Sequence, residues 1–100
     1  MARMFNPPHP GEILREDYLL PLRITQREFA EHISVTRKTV SAIVNERSGI
    51  SPDMAVRFAH AFDTTPEFWL NLQISYDLWQ VESSSKELRK IKKIEGTEAA

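Results

Sequence analysis

Arg37, Lys38, Thr39, Ser41, Ala42, Asn45 and Arg47 fall in one short stretch whose inward positions are taken by Val40, Ile43 and Val44. The Arg37 guanidinium can grip guanine O6 and N7 with two parallel donors. Asn45 can read adenine or hold a phosphate, and Ala42 or the Thr39 methyl can meet a thymine methyl. Lys38 and Arg47 suit phosphate oxygens, as do Gln26 and the amide end of a helix opening at Thr25. This is the chemistry of recognition. Catalysis has no comparable support: the chain has no cysteine, no HExxH pair and only 3 glycines, and no nucleophile, base and orienting acid stand at a recognisable spacing. Asp53 and Glu67 are better explained as helix-start residues than as an acid–base pair. His9, His32 and His60 form no i, i+4 pair, so neither a metal nor any other cofactor is expected.

Two short helices must position those side chains. Thr25 is an N-cap, and Glu28 three residues later completes a capping box. Phe29, Ala30 and Ile33 then recur on one face at helical spacing. Thr36 caps a second helix after only Ser34 and Val35, a corner too tight for anything but a sharp turn. Ala30 supplies the small side chain that steeply crossing helices require. This is a helix-turn-helix, an arrangement that lays its second helix in the DNA major groove. Counted from the Thr36 cap, the outward set of that helix is Arg37, Lys38, Thr39, Ser41, Ala42 and Asn45.

The remaining segments supply support. A chain of 100 residues with 41% hydrophobic residues builds one modest core. Residues 1–9 read as an extended N-terminal arm. Residues 10–82 read as a helix-turn-helix DNA-binding and dimerisation domain, and 83–100 as a basic, flexible tail. Pro10 and Glu12 open the first helix, with Ile13, Leu14 and Tyr18 on its apolar stripe, and Pro21 is expected to stop it at Leu20. Gly49 is available for a positive φ in the connector that follows the second motif helix. Ser51-Pro52-Asp53 and Thr65-Pro66-Glu67 start two further helices. The fold class is therefore all-α, with five helices. No apolar run is long enough to span a bilayer and no signal peptide opens the chain, so a cytoplasmic protein without a membrane partner is expected. The formal net charge of −1 does not advertise nucleic-acid binding. Local charge does: only Glu46 faces Arg37, Lys38 and Arg47.

The fifth helix carries two apolar faces. Phe68, Leu72, Tyr76 and Trp79 fall in one sector with Trp69 at its edge, while Leu70, Ile74, Leu78 and Val81 lie on roughly the opposite side. An outer helix needs one apolar face, so the second stripe is expected to be a homodimer interface. The competing reading folds the tail or the arm over it. Five Lys or Arg residues lie between Lys86 and Lys93, with Leu88, Ile91 and Ile94 in the same tail, a segment that forms a short amphipathic helix or stays partly disordered.

Residues Thr25 to Phe62 resemble the helix-turn-helix of the phage-repressor-like (XRE/Cro) superfamily. More narrowly, the chain is similar to the HigA (VapI-like) antitoxins of type II toxin–antitoxin modules. His9-Pro10-Gly11-Glu12-Ile13-Leu14, Ile24-Thr25-Gln26 and Phe68-Trp69-Leu70-Asn71-Leu72 carry that likeness, which spans about Pro7 to Glu82. The resemblance implies a five-helix lambda-repressor-like fold and a cytoplasmic homodimer that represses its own operon at a palindromic duplex operator. It also implies a small HigB/RelE-like, mRNA-cleaving toxin as protein partner. The groove-facing positions it implies are Thr36, Arg37, Lys38, Thr39 and Ser41. One departure stands out: the turn glycine of the family is Ser34 here, at a backbone cost of about 1 kcal/mol if left-handed. A stand-alone phage-type repressor without a toxin is the alternative, and an interaction module that has lost DNA binding is a third reading.

Overall fold

The computed structural model describes residues 6–84 and 86–97. Residues 1–5 of the arm, and Ser85 and residues 98–100 of the tail, lie outside the described set. Five helices in chain order form the domain. Helix α1 starts at Pro10–Ile13, widens to π-helical turns over Leu14–Leu19 and closes at Leu20–Leu22. Helices α2 (Gln26–His32) and α3 (Arg37–Val44) are the motif pair, followed by α4 (Pro52–Phe62) and α5 (Pro66–Ser84). A short 3-10 turn, Glu87–Lys90, lies beyond them.

The expected stop at Leu20 is not found. Leu20 is right-handed helical, at φ −65° and ψ −50°, and the chain turns only at Arg23, at φ 57°. Proline lacks the N–H that a regular helix would use and crowds the carbonyl four residues back. The wider π turn ahead of it accommodates the ring, as the Leu20 N–H donating to the Arg15 carbonyl shows. The left-handed residue after α3 is Glu46, at φ 60°, rather than Gly49. Gly49 instead leaves room for the Gln73 amide, which a Cβ there would push aside.

The first-turn signals act as expected. Thr25, Thr36 and Ser51 each accept from the backbone N–H three residues on, and Thr65 does the same for Phe68. Each such cap contributes about 1 kcal/mol. The core joins Leu14 and Leu19 of α1 to Phe29, Ala30 and Ile33 of the α2 segment, Val40, Ile43 and Val44 of α3, Phe58 of α4 and Trp69 of α5. Trp69, expected at the edge of its stripe, is the centre of the α5 contact and fully buried. Its ring meets Phe58 edge-on at 5.0 Å and Tyr18 at 5.3 Å, and Nε1 donates to Thr64 Oγ1 at 2.8 Å. Phe68, placed inward by its spacing, is 40% exposed. Trp69, not its neighbour, meets Phe58 of α4.

The last residues of the arm dock against the domain. Pro7 and His9 are buried, and His9 Nδ1 caps α1 by accepting from the Gly11 N–H at 2.9 Å. The imidazole meets Tyr76 edge-on at 4.8 Å. Gly11 is obligatory for this approach, since a Cβ there would overlap the Ile43 carbonyl. Burial lowers the His9 pKa from 6.5, against the opposing pull of Glu46 and Asp77. The neutral ring is therefore favoured by folding, and its contribution is fully present above about pH 6.5. It is lost as pH falls below that value toward the folded pKa, because the unfolded chain takes up the proton first. Acid titration of thermal stability should show this decline in the parent chain and a shallower one in His9→Gln. Identical profiles would show that His9 has no part in the acid response.

Candidate nucleic-acid interface

The motif geometry begins with its corner. Ser34 is left-handed at φ 60°, the strained position expected for a non-glycine residue there. Arg57, reaching from α4, offsets the strain: its guanidinium donates to the Ile33 carbonyl at 2.7 Å and the Ser34 carbonyl at 3.4 Å while pairing with Asp53 at 2.9 Å. The other end of the pair is held by Arg15, which donates to the Val44 carbonyl at 2.9 Å. Each arginine places a cation on the unsatisfied carbonyls ending a helix, where the dipole is negative. Neither role is visible in the sequence. The partner carbonyls lie 29 residues from Arg15 and 24 from Arg57, and no local spacing marks such a pair.

Helix α3 buries Val40, Ile43 and Val44 and leaves its polar face outward. Arg37, Lys38, Ser41, Ala42 and Arg47 line one open cleft, and Arg37, Lys38 and Arg47 are exposed. Thr36 and Thr39 bond hydroxyl to hydroxyl at 2.9 Å, with Thr36 Oγ1 also capping the Thr39 N–H. The two hydroxyls thus orient each other, and the methyl groups take no part in these bonds. Asn45 is exposed but tied back, its amide nitrogen donating to the Ser41 carbonyl at 2.9 Å and Ser41 Oγ at 3.2 Å. An adenine contact would have to replace those bonds.

Thr25 and Gln26 line a separate cleft, together with Arg15 and Arg23. Arg23, which no sequence pattern singles out, adds an exposed cation beside the start of α2. The amide of Thr25 is not free for a phosphate, because it donates to Glu28 Oε1 at 3.1 Å. That backbone bond, and then the Thr25 side chain, hold the Glu28 carboxyl below its usual pKa. A fixed negative charge therefore sits at the helix end expected to attract phosphate, leaving Gln26 and Arg23 as the stronger phosphate candidates.

On α5, the four residues of the expected seam divide. Leu70 is half-buried and packs on the core of its own chain. Ile74 (53%), Leu78 (37%) and Val81 (52%) are exposed, so the unpartnered stripe is shorter than the sequence indicates. Ile91 (73%) and Ile94 (79%) are themselves solvent-facing and do not cover it. No helix among the described residues is long and apolar enough to cross a membrane.

Residues 15–69 match the helix-turn-helix family HTH_3. The chain is 44% identical over 89 residues to the uncharacterized HTH-type transcriptional regulator YbaQ of Escherichia coli, covering 89% of this chain and 79% of that one. It is 40% identical over 83 residues to antitoxin HigA-1 of Vibrio cholerae, with 83% and 78% covered. Among solved structures it superposes on the Pseudomonas aeruginosa antitoxin HigA with higBA promoter at a TM-score of 0.81 and 41% identity, covering 86% and 96%.

Proposed function

Because the chain belongs to the helix-turn-helix family, and within it to the HigA-like members, we propose that it is an antitoxin that represses its own toxin–antitoxin operon. The family is one of DNA-binding regulators, not of enzymes. On this reading, two copies join through Ile74, Leu78 and Val81 of α5 and present their α3 helices to one face of a palindromic duplex, in the cytoplasm. Half-sites then lie about 34 Å, or one helical turn, apart. Residues 10–82 are the DNA-binding and dimerisation domain. The protein partner is a HigB/RelE-like mRNA-cleaving toxin, neutralised by binding.

The observation that carries the reading is the outward polar face of α3, held at both ends of the motif by Arg57 and Arg15. Arg37 is the base-reading residue. Lys38, Arg47 and Gln26 hold phosphates, and Ala42 and the methyl groups of Thr36 and Thr39 contact thymine. Ser41, Asn45 and Thr25 shape the surface from behind. Arg37→Ala should cost about 1–3 kcal/mol of operator binding and relax the base preference beneath it. Equal weakening on every sequence would make Arg37 a phosphate contact. Co-expression with the adjacent reading frame, followed by pull-down, tests the antitoxin half. Capture of a small basic ribonuclease supports it, and absence of any such neighbour favours a stand-alone repressor.

A further inference from the structure

Between Pro10 and Glu82, acidic residues outnumber basic ones, so the folded body carries net negative charge. Such a body is repelled by duplex DNA at long range, and Glu46 stands next to Arg47 in the chain. The positive charge is concentrated elsewhere. Lys86, Arg89, Lys90, Lys92 and Lys93 follow α5 with Glu87 as the single acid among them. All five cations are exposed, and none enters an ion pair among the described residues. Leu88, Ile91 and Ile94 are also exposed, so the segment is not spent on the core.

The segment starts from the helix that packs on the connector following α3. Helix α5 passes that connector: Gln73 accepts from the Ile50 N–H at 2.8 Å, and Gln80 lines one cleft with Glu46. The chain leaves α5 shortly beyond that point. After the 3-10 turn it runs without regular structure from Ile91 to Ile94. With the Glu87–Lys90 turn opened, Lys86 to Lys93 can reach at most about 23 Å, enough to meet several phosphates spaced roughly 3.4 Å apart on a strand.

We infer that Lys86–Lys93 is a second, sequence-independent DNA contact, an arm that grips the phosphate backbone beside the half-site read by α3. This rests on the DNA-binding reading above and extends it to residues outside the helix-turn-helix. The arm supplies attraction that the acidic body lacks, and α3 supplies discrimination. Phosphate oxygens are the ligand, so the arm adds equally to operator and random sequence.

The test replaces all five cations with glutamine in the full chain: Lys86→Gln, Arg89→Gln, Lys90→Gln, Lys92→Gln and Lys93→Gln. Binding of a fluorescent random-sequence duplex, and of duplex from the chain's own promoter, is titrated over a range of sodium chloride. The variant should keep its helical circular dichroism. Its slope of log affinity against log salt should become shallower by about 0.9 for each phosphate that the arm no longer neutralises, and low-salt affinity should fall at least about tenfold. Both duplexes should weaken by the same factor. An unchanged slope overturns the arm, as does a loss confined to the promoter duplex. If the parent chain binds the random duplex but the variant matches it, only the arm fails. If the parent shows no salt-sensitive binding at all, the DNA-binding reading fails with it.

Discussion

Ile74→Asp combined with Leu78→Asp should convert the protein to a monomer that keeps its helices and loses most of its operator affinity. Both positions are exposed in the single chain, so carboxylates there stay hydrated and leave the core intact. In a two-fold seam the same substitutions would face one another. Four carboxylates would then be buried without partners, each at several kcal/mol, more than a modest seam supplies. Operator binding follows from the arithmetic of linked sites. Two joined α3 helices make the second contact intramolecular, an advantage of about a hundredfold or more that a monomer forfeits. Sedimentation and operator titration check the two halves separately. A double variant that still sediments as a dimer places the seam elsewhere. A monomer with parental affinity would show that one recognition helix suffices.

Trp69→Ala should be the most damaging single truncation. The indole is fully buried among Tyr18, Phe58 and Phe62, at ring separations of 5.3, 5.0 and 6.1 Å. Its removal opens a cavity where α1, α4 and α5 meet and strands the Thr64 hydroxyl that accepts from Nε1. Substitutions of this kind cost about 3–5 kcal/mol, a large share of the roughly 5–15 kcal/mol that holds a typical small domain together. Thermal midpoints should drop by about 15 °C or more. A fall of only a few degrees would mean that the aromatic cluster is not what ties α5 to the domain.

What is legible in the sequence follows from the range of each interaction. Caps act over three residues, so Thr25 with Glu28, Thr36, Ser51 and Thr65 can all be read there, and with them the helix-turn-helix and the outward face of α3. Three-dimensional partners cannot. Nothing in the run around Pro21 says that a π turn will absorb the ring, which shows only in the Leu20 N–H reaching the Arg15 carbonyl. Arg15 and Arg57 read as surface charges until the helix ends that they hold are brought beside them. Asn45 does lie on the outward side, yet its amide is engaged by Ser41. The two α5 stripes follow from an even 100° per residue. Which face turns inward is decided by Trp69 meeting α4, a choice invisible to periodicity on a helix apolar on both sides.

In the proposed function, α3, duplicated by the α5 seam, reads a short inverted repeat. Hydroxyl-radical footprinting of the purified chain on its own promoter measures this directly. Two protected patches are expected on one face of the duplex, their centres about one helical turn apart, and both should vanish when the repeat is scrambled. Protection spread evenly along the DNA, or equal affinity for the scrambled sequence, would contradict it.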